Sequence, residues 1–329
     1  MANLRELRDR IRSVNGTKKI TKAREMIATS MISKAQARVE EARPFADQIT
    51  EILSDLASAS SVQHRMLKEP EGATRSAVLV VSSDSGMCGG YNNNVIKETA
   101  ELVAFLEEAG REVDLYVMGK KGIVYYTFRD IELAGAWQGN SQRPEYQDAR
   151  PVFQLLSKAF ATGGEDTFDA AEFLADDHTG DTIRKGVDEV HIVYTQFKSM
   201  LTQTPKARRL APIETQVEVE ALDLGEDLLD EITTEGNKPE VTFEPDAETL
   251  LDNILPRYMA TRAFASLLES AASESAARRT AMKAATDNAT DLVDDLSREA
   301  NQARQAQITQ EISEIVGGAG ALSASAGSD

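Results

Sequence analysis

The residues best placed to do chemistry lie in Ser82-Ser83-Asp84-Ser85-Gly86-Met87-Cys88-Gly89-Gly90. This stretch follows the apolar run Ala77–Val81 and precedes a helical pattern that begins near Asn93. A Gly-rich turn between a strand and a helix N-terminus is where backbone amides receive phosphate. Here the G-x-x-x-x-G-K-[ST] spacing with its lysine is absent, and so is G-x-G-x-x-G. The better reading is a tight turn whose glycines meet backbone constraints. Cys88 could be a nucleophile, but no histidine lies near it in sequence, which favours a buried, inert thiol. Gly119-Lys120-Lys121-Gly122 is a second anion candidate and more ordinarily a solvated helix start. Glu165, Asp166, Asp169, Glu172, Asp176 and Asp177 form an acidic run without the D-x-[DN]-x-[DN]-G spacing of a calcium loop, and read as a mobile acidic loop. One cysteine and three scattered histidines (His64, His178, His191) provide no disulfide framework, thiolate zinc site or His-rich metal site. With no acid–base pair, triad or metal constellation, the residues favour a protein without catalytic residues, metal or cofactor of its own.

The elements that would position these residues fall into three segments. Residues 3–60 read as one long helix. Leu4, Leu7, Ile11 and Val14 step by 3, 4 and 3, and Ile20, Ala23, Ile27 and Met31 are expected to continue that seam. Asn15-Gly16 predicts a weak point, Pro44 a kink, and Ile49, Ile52, Leu53 and Leu56 resume the stripe. Such an element could reach about 85 Å. Residues 75–245 alternate strand and helix. Strands are expected at Ala77–Val81, Val113–Met118, Ile131–Leu133 and Val187–Phe197, giving a mainly parallel sheet with right-handed crossovers. Residues 246–316 return to helix, bent near Pro256. Ala289, Leu292, Leu296, Ala300 and Ala303 form its seam, with Ile308, Ile312 and Ile315 as an extension. Gly317-Gly318-Ala319-Gly320 is expected to end it, leaving a flexible tail.

Neither long helix can bury its stripe alone. The pattern therefore predicts an α/β protein in which N- and C-terminal helices pair as an antiparallel coiled coil, with a Rossmann-like α/β domain between them in sequence. The expected boundaries are 1–62, 75–245 with an acidic insertion at about 163–181, 246–318, and a tail at 319–329. A rod with a knob suits a spacer, shaft or lever better than an enzyme.

Charge is distributed unevenly. Residues 1–24 carry eight bases against two acids, a net of +6, whereas residues 214–252 carry fourteen acids and one base, a net of −13. The whole chain of 329 residues has a formal charge of −18, which argues against a nucleic-acid partner. No apolar run of 18 residues is present, so no transmembrane segment is expected, and the charged start MANLRELRDR excludes a secretory leader. Aromatics make up only 5 %, which points to helix packing through Ala and Leu.

Four blocks of residues carry a resemblance. Leu4–Ala37, with Ile11-Arg12-Ser13-Val14 and Thr17-Lys18-Lys19-Ile20-Thr21-Lys22-Ala23, resembles the start of the gamma subunits of F-type, proton-translocating ATP synthases of bacteria. Ser83-Asp84-Ser85-Gly86-Met87-Cys88-Gly89-Gly90-Tyr91-Asn92 is similar to that family's S-D-x-G-L-C-G-G-[FY]-N turn. Ala281–Ala289, Ala303-Arg304-Gln305-Ala306 and Ile308–Ala319 are similar to its C-terminal helix.

The resemblance implies a central-stalk rotor that couples proton flow through a membrane ring to ATP synthesis or hydrolysis on beta subunits. Its implied partners are three alpha and three beta subunits around the shaft, an epsilon subunit and the c-ring. The implied location is peripheral, on the cytoplasmic side of a bacterial plasma membrane; a transit peptide is absent, which favours bacterial over organellar members. It implies rotor–stator contacts at Arg304, Gln305 and Thr309, and gives the basic segment with Lys18, Lys19 and Lys22 acidic beta-subunit loops as partners. Arg24 stands where that family usually has Met, Gly16 replaces a better helix former, and the run Gly163–Asp181 looks like an insertion. That run, with Glu165, Asp166, Asp169, Glu172, Asp176 and Asp177, is a candidate regulatory loop. With Cys88 alone, a two-cysteine redox switch is excluded. The competing classes are a coiled-coil scaffold with an appended α/β domain and, more remotely, a nucleotide-binding enzyme built on the Gly-rich turn.

Overall fold

The structure is a computed structural model that describes residues 4–59, 65, 72–175, 181–213 and 247–325. Asp176, Asp177 and most of the acidic stretch 214–252 lie outside the described residues. The chain divides into two compact units, Ala28–Arg278 and Met1–Ile27 with Arg279–Asp329.

In the larger unit the strands β1 (Arg75–Val81), β2 (Glu112–Met118), β3 (Gly135–Trp137), β6 (Glu189–Phe197) and β7 (Gln203–Ala211) form one sheet in the order β3-β2-β1-β6-β7. The first four are parallel, and β7 returns antiparallel to β6. Five consecutive apolar residues, Ala77–Val81, make β1 the centre of the sheet, because a strand covered on both faces can afford no polar side. One face buries Ala77, Leu79, Ile192 and Tyr194 against α4 (Tyr146–Thr162) and the first turns of α5 (Ala247–Ser325), through Phe153, Leu156, Met259, Ala263 and Leu267. The other face buries Val78, Val80, Val117 and Val193 against α2 (Tyr91–Glu108) and α3 (Lys120–Thr127). The result is three layers with helices on both faces of a mostly parallel sheet.

Two strands depart from the expected pattern. The third lies at Gly135–Trp137 and not at Ile131–Leu133. Gly135 is required there, since a Cβ would come within 2.4 Å of the Trp137 ring. The edge strand β7, QTPKARRLA, has too few apolar residues to signal a strand. Pro205 and its cations suit an edge. Between α4 and β6, β4 (Thr167–Asp169) and β5 (Ile183–Lys185) pair antiparallel.

In the smaller unit, α1 (Leu4–Ala59) and α5 run in opposite directions: Leu7 clusters with Leu296 and Ala300, while the Thr21 and Thr286 hydroxyls are 2.8 Å apart. Leu4, Ile11, Val14 and Ala303 flank the Leu7 cluster. Beyond Val14 the buried or half-buried positions of α1 in this unit are Asn15, Lys18, Thr21 and Glu25. Lys18, Thr21 and Glu25 follow Val14 by steps of 4, 3 and 4, a spacing that averages about 3.5 residues, with Asn15 beside that line. Of the expected continuation through Ile20, Ala23, Ile27 and Met31, the first three are exposed and off the seam, and Met31 is half-buried. On α5 the seam passes through Met282, Thr286, Ala289, Val293, Leu296 and Ala300; Leu292 is 42 % exposed and lies off it. Ile308, Ile312 and Ile315 are exposed and do not extend it. The described turns of α1, from Leu4 onward, cluster with Leu296, Ala300 and Ala303 and not with these later residues. Helix α1 continues through Gly16 and Pro44, and α5 through Pro256 and Gly317–Gly320 as far as Ser325. The single Gly16 costs α1 ~1 kcal/mol without ending it.

Candidate functional site

The Gly-rich turn is closed on itself. Ser83 N–H donates to Asn92 Oδ1 at 3.0 Å, and Asp84 N–H donates to Ser141 Oγ at 2.9 Å. The first amides of α3 are also taken. Asp84 Oδ1 accepts from Lys120 N–H, the Ser83 carbonyl from Lys121 N–H, and Ser82 Oγ from Gly122 N–H, at 2.9–3.0 Å. The amides at the start of α3 are thus not offered to a ligand, and in the Gly-rich turn those of Ser83 and Asp84 are taken. Cys88 is buried, with the Asn92 amide 3.3 Å from its sulfur.

The crevice at the carboxyl ends of β1 and β6, where chain order reverses in this sheet, is the usual ligand site of such folds. Here α5 fills it. The Tyr91 and Ser270 hydroxyls are 2.7 Å apart, Ser273 donates to the Thr195 carbonyl at 3.0 Å, and Arg278 donates to the Ser85 carbonyl at 3.0 Å. Arg278 also pairs with Glu274 at 2.7 Å. Glu274 is 0 % exposed, and burial raises its pKa against the opposing pull of Arg278. Sequence reasoning missed these anchors. Tyr91, Ser270, Ser273, Glu274 and Arg278 are polar residues on helices, and only their convergence gives them meaning. The run Ser273-Glu274-Ser275, polar but buried amid alanines, was the one available signal.

At the opposite end of the sheet, charged groups are densely paired. Glu189 is fully buried beside Arg111, His191 and Arg209, and Ser76 reaches it at 3.3 Å. Asp188 accepts from Thr74 and Gly164 amides at 2.9 and 3.1 Å and from Arg65 at 2.9 Å. Burial opposes ionisation of Asp188, but the amides outweigh it and hold its pKa below the usual carboxylate range. Among the described residues no group of His, Cys, Asp and Glu could hold a metal ion.

The contact residues expected on the helices all face outward, with one exception. Arg304, Gln305 and Thr309 are exposed, and Thr309 bonds its own helix, donating to the Gln305 carbonyl at 2.9 Å. Lys19 and Lys22 are exposed, whereas Lys18 is half-buried in the seam. Lys22 pairs with Glu25 at 3.0 Å. In the acidic set, Glu165, Asp166, Asp169 and Glu172 are exposed, but their backbone is tethered. Phe168, Ala170 and Phe173 join the core, and the Trp137 ring N–H donates to the Phe173 carbonyl at 3.3 Å. Asp169 accepts the Ala171 N–H at 2.9 Å, the first cause of its lowered pKa. Residues 164–175 are therefore a pinned excursion rather than the mobile loop expected from charge alone.

A sequence family described as ATP synthase matches residues 3–322. The chain belongs to the ATP synthase family. Bacterial relatives named ATP synthase gamma chain align over all of both chains, at 60% identity in Corynebacterium jeikeium, 58% in Corynebacterium urealyticum and 57% in Nocardia farcinica. Among solved structures, a chain of the Euglena gracilis mitochondrial ATP synthase, in an assembly of OSCP, F1 and c-ring, matches with a TM-score of 0.60. The match covers 99% of this chain and 96% of that one at 16% identity. A chain of the Tetrahymena thermophila mitochondrial ATP synthase central stalk and c-ring matches at 0.53, covering 81% of this chain and 99% of that one, at 22% identity. These two establish likeness of fold. No helix among the described residues is long and apolar enough to cross a membrane.

Proposed function

We propose that the chain is the rotor of the ATP synthase central stalk. The observation that carries this reading, beside the full-length gamma-chain relatives, is the stretch of α5 beyond Ala303. There Ile308, Ile312, Ile315 and Val316 stand exposed, Ile315 by 72 %, on turns of α5 that the described residues of α1 do not cover. An uncovered apolar helix end on a soluble chain requires a surrounding partner. A collar of three alpha and three beta subunits supplies one.

The remaining features fit the same role. The seam of α1 and α5 is an antiparallel coiled coil, and a coupled pair resists twisting better than either helix alone. Arg304, Gln305 and Thr309 present a guanidinium, an amide and a hydroxyl suited to bonds that form and break during each turn. Lys19 and Lys22, with the exposed Ile20, Met26 and Ile27, give α1 a basic and apolar outer face for acidic beta-subunit loops. Screened attraction couples such surfaces without locking them. With the crevice between β1 and β6 filled by α5, the chemistry belongs to the beta subunits. The α/β domain meets the epsilon subunit and the c-ring, on the cytoplasmic side of a bacterial plasma membrane. The acidic excursion with Glu165, Asp166 and Glu172 is a regulatory contact to a basic surface of a neighbouring subunit. Its test is charge neutralisation (Glu165→Gln, Asp166→Asn, Glu172→Gln), since deletion would tear Phe168 and Phe173 from the core; unchanged hydrolysis and synthesis in membrane vesicles sinks that role.

Reconstitution with purified alpha and beta subunits tests the main reading. ATP hydrolysis that requires this chain and falls with Arg304→Ala and Gln305→Ala supports it. The scaffold alternative predicts no complex at one copy per three alpha and three beta, and no dependence of hydrolysis on this chain.

A further inference from the structure

Glu269, on the part of α5 that lies across the sheet, is a carboxyl that the rotor reading does not use. It is 5 % exposed, and its Oε2 is sealed from solvent with no hydrogen-bond partner. The Phe197 N–H at the end of β6 binds the group. Tyr194 on β6, Lys206 and Arg208 on β7 and Arg262 on α5 itself are the titratable and charged groups that face it. The register explains why they converge: Lys206 lies opposite Tyr194 and Arg208 opposite Ile192, and Tyr194 and Ile192 point to the face that α5 covers. The two cations of β7 thus flank the carboxyl on the same face.

We propose that Glu269 is a proton-operated latch between α5 and the β6–β7 edge. With its proton, the carboxyl stays sealed under α5. Without it, a bare charge with one unpartnered oxygen is drawn toward water and the Lys206, Arg208 and Arg262 cations at the rim, which loosens this stretch of α5. Burial is the largest influence on the group and raises its pKa to about 7, although the three cations pull it down. The opened segment binds its proton near the ordinary carboxylate value of about 4.3. Between those two values the closed form holds one more proton than the open form, so opening becomes about tenfold easier for each pH unit of rise. The latch is closed in mild acid and loosened above neutrality, in a subunit of a machine that handles protons.

Hydrogen exchange of the full chain, corrected for the intrinsic pH dependence of exchange, tests this. Amides of residues 262–275 and 194–208 are expected to lose protection about tenfold per pH unit from 5 to 7 and to level off above. In Glu269→Gln, which mimics the protonated group, that slope disappears. An equal slope in the variant, or a flat profile in the unmodified chain, overturns the latch. Carboxyl carbon NMR of the unmodified chain provides the second measurement: a Glu269 midpoint near 7 supports the proposal and one below 5 refutes it, whether or not the variant folds.

Discussion

Replacing Arg278 by Ala strikes the join between α5 and the Gly-rich turn. The guanidinium, with 7 % of its side-chain surface exposed, is 2.7 Å from a Glu274 carboxylate exposed by 1 %, and 3.0 Å from the Ser85 carbonyl. Removing one partner of a buried pair leaves the other charge uncompensated, a loss of about 3–5 kcal/mol. Glu274 Oε2 already lacks a hydrogen-bond partner, and with Arg278 gone no cation remains among the groups that hold the carboxylate. The carboxyl instead takes up a proton, and the loss grows as pH rises because the unfolded chain ionises Glu274 freely. The double variant Arg278→Met with Glu274→Gln removes both charges and is expected to recover more than half of the loss. Trp137, the one tryptophan of the chain, sits in the same unit and reports urea unfolding by fluorescence. A loss below about 1 kcal/mol, or no recovery in the double variant, refutes the view that this pair clamps α5 to the sheet.

Three further outcomes are expected from the geometry. Leu296→Ala should loosen the two-helix seam by about 2 kcal/mol and Leu292→Ala by under about 0.5 kcal/mol, read from hydrogen exchange of residues 4–27; equal effects contradict the observed seam. Gly119→Ala places a Cβ 2.2 Å from the Ser82 carbonyl oxygen at φ +103°. It should lower stability to urea by about 3 kcal/mol or more. Asp188→Asn removes a carboxylate whose pKa is held low in the fold, so the unfolded chain takes up its proton first as pH falls. The variant is expected to be less stable by about 2 kcal/mol at pH 7, a gap that closes below about pH 4; a gap independent of pH argues against the amide cluster.

The legible parts of the sequence were those where burial and apolarity coincide. Ala77–Val81 announced a central strand, and Leu4, Leu7, Ile11 and Val14 announced a seam, because in each case the covered residues are the greasy ones. Past Val14 the two separate. The seam keeps its 3.5-residue spacing through Lys18, Thr21 and Glu25, while Ile20, Met26 and Ile27 face away from α5. A reading that tracks apolarity steps off the seam at that point. The same separation misplaced Leu292 and Ile308, whose side chains the chain does not bury itself. Strand β7 was hidden by its cations, and α4 was not distinguished among the expected elements. The contact residues Arg304, Gln305 and Thr309 came from resemblance alone, and the structure adds that they are exposed. The anchors Tyr91, Glu274 and Arg278 were invisible because they are brought together from positions more than 170 residues apart in sequence. Charge alone reads the acidic excursion as loose, whereas Phe168 and Phe173, two aromatics among many acids, tie residues 164–175 to the core.

Rotation of this chain inside its partners is the property on which the whole account depends. With alpha and beta subunits fixed to a surface and a gold particle attached to the exposed Phe128 position of the α/β domain through a Phe128→Cys substitution, ATP is expected to drive stepwise rotation in one direction. ATP hydrolysis that proceeds while the particle stays still, or moves without direction, contradicts the account.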